Sequence, residues 1–138
     1  MSKSISKRAP AATKSSLPAD VAAVVTAAAS KKAADITVLD LRKAAAFTDF
    51  FVICTGHSGR QIKAIADAIE ETLLAKRRLK PAHVEGYQRA EWVLLDYFDF
   101  VVHVFNEETR TFYGLERLWG NATPVDLRDL LAPELARP

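Results

Sequence analysis

At 138 residues, with 49% apolar and 26% charged side chains, the chain is long enough to bury one hydrophobic core and too short for two domains. No apolar run approaches the roughly 20 residues that a membrane-spanning helix needs, and the lone Cys54 excludes an internal disulfide. The charge is unevenly divided: residues 1–19 hold four of the 19 basic residues and no acid, which leaves 15 basic against 17 acidic residues in the remainder. A slightly acidic body argues against a domain built mainly to bind nucleic-acid phosphates.

The N-terminal segment, residues 1–18, is rich in Ser, Ala, Lys and Pro and is predicted to be a disordered basic tail. It lacks the apolar stretch of a secretory signal. A basic, Ser-rich start without acids is also compatible with an organellar transit peptide, but no amphipathic arginine pattern accompanies it. We therefore expect a cytoplasmic protein with one domain over residues 19–124 and a loosely held C-terminal tail over residues 125–138.

Four elements are predicted in the first half of the domain. Strong helix formers indicate a helix over residues 19–34, and apolar alternation indicates a strand over 35–41. The run 50–56 is continuously β-branched and aromatic, which is typical of a strand buried on both faces. The clearest amphipathic helix follows over 59–79, with Ser58 as its expected N-cap.

The second half is predicted to contain a short strand over residues 82–86, a hairpin of two strands over 91–97 and 100–106, and a helix over 107–119. The last helix is expected to bury one stripe, formed by Phe112, Leu115 and Trp119. The resulting order, α-β-β-α-β-β-β-α, predicts an α/β fold. We expect a mixed five-stranded sheet flanked by helices.

The turn "TGHSGRQ", which leads from the buried strand into the long helix, is one place where chemistry could occur. Gly56, Ser58 and Arg60 could form an anion-binding turn at the helix N-terminus. A tight turn with a serine cap explains the same residues and is favoured, because the pattern is neither a Walker loop nor a dinucleotide-binding fingerprint.

A similar glycine-serine turn occurs in nucleotidyltransferases, whose chemistry also needs carboxylates spaced D-x-D on a neighbouring strand to hold Mg²⁺. Here the next acids, Asp67, Glu70 and Glu71, all lie within the predicted long helix. No metal site, cofactor or catalytic residue is therefore expected, and an enzyme is disfavoured.

The hairpin "EWVLLDYFDFVVHVF" carries three titratable side chains, Asp96, Asp99 and His103, in an otherwise apolar segment. The two aspartates bracket the predicted turn "DYFD", where Asp is common for local reasons. They could also act as a general acid and base, but no nucleophile lies near them in sequence. His103 is expected to be a hydrogen-bonded, partly buried side chain.

Cys54 and His57 lie close together in sequence and could form a nucleophilic pair only if the thiolate were exposed and its pKa lowered. Because Cys54 belongs to the buried strand, a core cysteine is the favoured interpretation.

Three segments together resemble the Iojap-like ribosomal silencing factors: "FTDFFVICTGHSGRQIKAIADAI", "VEGYQRAEWVLLDYFDFVVHVF" and "RTFYGLERLWGNA". The resemblance runs from about Ala19 to Pro124, with the segments in the order of the family. The chain departs from the family pattern at Phe98, where bacterial members commonly have glycine, and at His57, where a small Thr or Ser is more usual.

The resemblance implies a nucleotidyltransferase-like α/β fold without the catalytic carboxylates. It also implies binding to the large ribosomal subunit through the fourteenth ribosomal protein of that subunit, on the face that meets the small subunit. Occupying this face would block joining of the small subunit and lower translation when nutrients are scarce. Several family members are dimeric in isolation, so a homodimer is a further implied partner.

We therefore expect the hairpin to dock onto a basic ribosomal protein, with Trp92 as the apolar anchor. Acidic and aromatic neighbours would complete this surface: Glu91, Asp96, Tyr97 and Asp99. The basic tail would add at most a secondary contact with ribosomal RNA.

Three alternatives stay open. Trp92 could lie in the core while both aspartates only shape the turn. The chain could be a small nucleotidyltransferase-like enzyme or nucleotide-binding protein that uses Gly56, Ser58 and the hairpin carboxylates. It could also be an RNA-binding domain, which the acidic body disfavours.

Overall fold

The fold comes from a computed structural model that describes residues 17–44 and 46–131. In chain order its elements are α1 (Ala19–Ser30), β1 (Ala34–Asp40), β2 (Phe50–Thr55), α2 (Gly59–Arg77), β3 (His83–Glu85), β4 (Trp92–Asp96), β5 (Phe100–Phe105), α3 (Glu107–Tyr113), α4 (Leu115–Leu118), β6 (Thr123–Pro124) and α5 (Arg128–Leu131). The prediction of a disordered tail falls almost wholly on residues outside this description. No helix of the described residues is both long and apolar enough to cross a membrane.

The strands form one sheet in the order β3-β4-β5-β2-β1-β6. The central pair β2 and β5 runs parallel, and the other neighbours run antiparallel. This confirms a mixed sheet flanked by helices, but the number of strands differs from the prediction. The sixth strand, β6, has only two residues, one of them a proline, and a segment so short carries no alternation that sequence reasoning could detect.

One face of the sheet, the helix-covered face, packs against α1 and α2. Both helices direct a fully buried aliphatic row towards it, because their apolar residues recur at helical spacing. The row consists of Val21, Val24 and Val25 from α1 and of Ile62, Ile65, Ile69 and Leu73 from α2. The larger core of the molecule lies between this row and the strands.

The opposite face, the open face, has a smaller core and an incomplete cover. Its fully or nearly fully buried members are Leu39, Leu41, Phe51, Ile53, Val101 and Phe105. Short segments and two half-buried tryptophans, Trp92 and Trp119, cover this face only in part. Apolar side chains of β4 therefore remain accessible on the open face.

The prediction of one continuous helix over 107–119 is wrong at Gly114. This residue adopts a left-handed conformation with φ of 56°, ends α3 and begins α4. The break turns Phe112 outward, with 76% of its surface exposed. Leu115 and Trp119 still pack against the core of the open face, so the predicted stripe is only partly formed.

The predicted domain end at residue 124 is too early. Val125 and Leu127 are buried in the larger core, Leu130 packs against it, and the Val125 N–H donates to the Val38 carbonyl at 3.0 Å. The packed fold therefore extends into α5, and only residues 132–138 of the predicted C-terminal tail lie outside the described chain.

Candidate protein-docking site

An open groove of about 650 Å³ lies beside the start of β4. Its floor is formed by Trp92 and its walls by the turn before β4 and by α3. Beside Gly86, Asn106 and Thr109, the lining side chains are aromatic or charged: Arg89, Glu91, Trp92, Glu108, Phe112 and Tyr113. Glu91 pairs with Arg89 at 3.4 Å, so Glu108 is the lining carboxylate without a lining cation beside it in sequence. A concave surface of this kind suits a protein side chain that brings apolar area and positive charge.

The two walls are fixed by backbone contacts. Asn106 caps α3 by accepting a hydrogen bond from the Thr109 N–H at 2.7 Å, and its own N–H donates to the Glu91 carbonyl at 2.9 Å. On the other wall, Gly86 has φ of 80°, and a Cβ atom built there would lie 2.1 Å from the Trp92 carbonyl oxygen. Only glycine allows this close approach, so the turn is held tightly against Trp92.

Trp92 itself is half-buried. It therefore lies between the two predicted alternatives, an exposed anchor and a core residue. Its ring contacts those of Phe105 and Tyr113, with centroids at 4.9 and 4.7 Å. Its indole Nε1–H donates to Nδ1 of His103 at 3.1 Å. Trp92 is therefore an ordered side chain with part of its surface available to a partner.

His103, the third titratable residue of the hairpin, is a buried and hydrogen-bonded side chain, which confirms the prediction. It is 4% exposed and packs edge-on against Phe51, with ring centroids 4.6 Å apart. Burial lowers its pKa from 6.5 to about 3, so the imidazole is neutral at physiological pH. The ring is thus a hydrogen-bond acceptor for Trp92 and not an acid or base for catalysis.

Arg110, which sequence reasoning missed, anchors α3 to the sheet. Its side chain is only 12% exposed, and it pairs with Glu116 at 2.6 Å. The same guanidinium donates to the Asp35 carbonyl at 2.8 Å, to Thr55 Oγ1 at 2.9 Å and to Thr37 Oγ1 at 3.2 Å. In the sequence Arg110 looks like an ordinary charge on a helix surface, and no local signal marks it.

Asp96 and Asp99 lie at the other end of β4 from Trp92, roughly 13 Å away at the usual rise per residue. Asp96 Oδ1 accepts a hydrogen bond from the Phe98 N–H at 2.9 Å, which is a turn-shaping contact. Asp99 is exposed. The two aspartates therefore do not surround Trp92, although Trp92, Leu94 and Asp96 form one half-buried row along the open face.

Tyr97 does not belong to an exposed surface, and its predicted role in docking is not supported. It is 5% exposed, lies in the larger core, and stacks on Phe100 with ring centroids 4.9 Å apart. Strand alternation explains the correction, because Tyr97 follows Val93 and Leu95 on the helix-covered face.

Three backbone N–H groups of the predicted anion-binding turn, those of Gly56, His57 and Gln61, donate within the protein. The Gly56 N–H donates to the Phe105 carbonyl at 2.8 Å. Ser58 Oγ accepts from the Gln61 N–H at 3.0 Å, while Gln61 Oε1 accepts from the His57 N–H at 2.6 Å. Ser58 is thus the N-cap of α2, and Gln61 also binds the N–H of the residue before the cap, which accounts for the turn as the start of the helix. The side chain of Arg60 remains exposed.

The structure also settles the state of Cys54 and tests for metal-ligand clusters. Cys54 is fully buried, and burial raises its thiol pKa to about 12, as expected for a core cysteine. Among residues 17–44 and 46–131, no cluster of three or more His, Cys, Asp or Glu side chains could hold a metal ion.

Comparison with known proteins identifies the family. Residues 14–138 match the family described as "Ribosomal silencing factor during starvation". A ribosomal silencing factor of Halalkalibacterium halodurans is 38% identical over 108 residues, which cover 78% of this chain and 92% of that protein. The chloroplastic Iojap protein of Zea mays is 39% identical over 101 residues, which cover 73% of this chain and 43% of that longer protein.

Solved structures agree with the sequence relatives. A crystal structure of a protein from Bacillus halodurans matches with a TM-score of 0.68 at 37% identity, covering 78% of this chain and 96% of that one. A crystal structure from Chromobacterium violaceum matches with a TM-score of 0.69 at 34% identity, covering 73% and 83%. The resemblance inferred from three sequence segments is thereby confirmed, and the chain belongs to the ribosomal silencing factor family.

Proposed function

We propose that this protein represses translation by binding the large ribosomal subunit and sterically blocking the small subunit from joining when nutrients are limiting. Membership of the silencing factor family supports a role in translation regulation. The observation that carries the docking part of the proposal is the half-exposed Trp92, held between Phe105 and Tyr113 in a groove with two carboxylates.

The proposed contact surface is the outer row of β4. Trp92 would be the anchor, since binding hot spots are enriched in tryptophan that fills a pocket at the centre of an interface. Glu108 at the groove, with Asp96 and Asp99 at the far end of the strand, would attract a basic partner, and Glu91 would join them by exchanging its ion pair with Arg89. A contact of about 800 Å² per partner covers both ends of a five-residue strand.

The partner we propose is the fourteenth ribosomal protein of the large subunit, which the family resemblance implied. A homodimer of the free protein and a secondary contact between the basic tail and ribosomal RNA are lesser parts of the same proposal. We propose a cytoplasmic location, where assembled ribosomes of a bacterial type would be met. The relative from Zea mays is named as chloroplastic, so proteins similar to this chain occur in more than one compartment under this proposal.

We infer a non-enzymatic mechanism, although the fold is proposed to be related to that of nucleotidyltransferases. The relatives are named as silencing factors, and the turn that could hold phosphate uses its Gly56 and His57 donors internally. Titration calorimetry with ATP and Mg²⁺ should give no binding heat. Saturable, Mg²⁺-dependent heat would favour the enzymatic alternative.

The binding step is tested by sedimentation of the purified protein with separated ribosomal subunits on sucrose gradients. We expect the protein to migrate with the large subunit alone. Trp92→Ala should abolish comigration, whereas Asp99→Lys, at the far end of β4, should weaken it and make it less sensitive to salt.

Protein that stays at the top of both gradients would overturn the proposal. Comigration that Trp92→Ala leaves unchanged would overturn the assignment of the groove, provided that circular dichroism shows both variants to be folded.

A further inference from the structure

We propose that His103 is a positioning residue for docking: its Nδ1 atom fixes the indole of Trp92 in the orientation that a partner meets. This inference rests on the proposed function, because it assigns a role to a residue behind the docking surface. His103 itself is 4% exposed and would not touch the partner.

The direction of the hydrogen bond follows from the chemistry of the two rings. An indole Nε1–H can only donate, so Nδ1 of His103, at 3.1 Å, must be the unprotonated acceptor. The single proton of the neutral imidazole is then on Nε2. The pair is a fixed donor and acceptor, with one tautomer of the histidine able to form it.

His103 is costly for the fold in every other respect. Its Nε2 atom is buried without a hydrogen-bond partner in the described part of the chain, and an unsatisfied buried donor destabilises a protein. Its neighbours on the same face of β5, Val101 and Phe105, are apolar. An apolar ring would pack equally well here, so the bond to Trp92 is the interaction in this structure that calls for a histidine.

The hydrogen bond fixes the rotation of the Trp92 indole within its plane, which the ring contacts do not. The rings of Phe105 and Tyr113 restrict the plane of the indole, but stacking is tolerant of rotation within that plane. Tyr113 is half-exposed on a helix of seven residues, so it is a weak support. A directional bond to His103 holds one edge of the indole inward, which leaves the opposite edge facing the groove before a partner arrives.

The first arm of the test measures orientation without the ribosome. Two variants are compared by NMR of the indole N–H groups: His103→Leu, which removes the acceptor, and His103→Asn, whose Oδ1 replaces Nδ1. In His103→Leu the Trp92 resonance should move to the position of a solvent-exposed indole and its hydrogen exchange should accelerate. His103→Asn should stay close to the wild type, and Trp119, which contacts Phe51 rather than His103, should change less than Trp92 in both.

The second arm measures affinity for the purified large subunit. His103→Leu should weaken binding on the order of three- to tenfold, the range expected for one hydrogen bond, and His103→Asn should restore most of it. Trp92→Phe removes the donor and should weaken binding similarly. In the Trp92→Phe background, His103→Leu should have no further effect, since both changes delete the same bond.

Unchanged indole resonances in His103→Leu, or additive losses in the double variant, would overturn the positioning role. A measurement on the wild-type protein keeps the test decisive even if His103→Leu does not fold: the ¹⁵N spectrum of His103 should show an unprotonated Nδ1 and a protonated Nε2, and a protonated Nδ1 would overturn the positioning role. Failure of the wild-type protein to bind the large subunit would overturn the proposed function, and the NMR arm would still decide whether His103 orients Trp92.

Discussion

The two faces of the sheet are covered by different kinds of side chain. The helix-covered face is closed by rows of Val and Ile from α1 and α2, all fully buried. The open face combines aromatic rings, a buried histidine and half-exposed side chains, with Trp92 and Trp119 at its margin. Under the proposed function the difference is a division of roles, in which one face supplies most of the stability and the other gives up some stability to present a recognition surface.

The largest effect is expected from the helix-covered face. Ile69→Ala should lower the free energy of unfolding by about 3–4 kcal/mol, because it opens a cavity at a fully buried position. Chemical denaturation checks this value. The folded fraction of Ile69→Ala should bind the large subunit with wild-type affinity. Trp92→Ala should instead lose affinity with a smaller loss of stability. Equal effects of both variants on stability and affinity would contradict the division of roles.

The anchoring of α3 to the open face is tested by Arg110→Met. Loss of its contacts with Glu116, Thr55 and the Asp35 carbonyl should cost about 2–3 kcal/mol of unfolding free energy, since the guanidinium is only 12% exposed and the Thr55 hydroxyl that it binds is buried. Arg117→Met is the matched control, and its exposed position predicts a change below about 0.5 kcal/mol. Similar effects of the two variants in denaturant titrations would refute the anchoring role.

The buried histidine predicts a pH dependence of stability. The pKa of His103 is about 3 in the folded protein and near 6.5 when unfolded, so below pH 6.5 the unfolded chain binds a proton that the folded chain does not. Stability should therefore fall with decreasing pH, by about 2 kcal/mol between pH 6.5 and 5. In denaturant titrations over this pH range, the unfolding free energy of His103→Leu should fall by about 2 kcal/mol less than that of the wild type. A slope identical to the wild type would contradict the assignment.

The smallest effect is expected at the hairpin turn. Phe98 has φ of 74° and is 76% exposed, so it combines backbone strain with little burial. Phe98→Gly should raise the unfolding free energy by about 0.5–1 kcal/mol. Phe98→Ala, which keeps a Cβ atom in the strained conformation, should give no gain. Thermal denaturation distinguishes the two, and an equal gain from both would place the strain elsewhere.

Sequence reasoning succeeded where a local pattern determines the structure. The periodic apolar residues of α2, the Ser58 cap and the continuous apolar run of β2 each report their own environment, and each was predicted correctly. Phe98, where the resemblance implied a glycine, adopts a positive φ, the conformation that glycine favours.

The failures involve contacts between distant segments. Arg110 binds groups on two strands more than 50 residues away in sequence, and the residues next to it in sequence do not indicate that role. The groove depends on the break at Gly114, which turns Phe112 outward, and on the turn at Gly86. Tyr97 was misplaced because its exposure follows from which face of the sheet the helices cover, and the sequence of the hairpin alone does not determine that.

The most direct test of the central claim is the rate at which ribosomal subunits join, followed by light scattering in a stopped-flow instrument. Large subunits are incubated first with the wild-type protein or with Trp92→Ala and are then mixed with small subunits. We predict that the wild-type protein suppresses the rise in scattering in proportion to its occupancy, and that Trp92→Ala at the same concentration does not. Subunits that join normally in the presence of saturating wild-type protein would contradict the account.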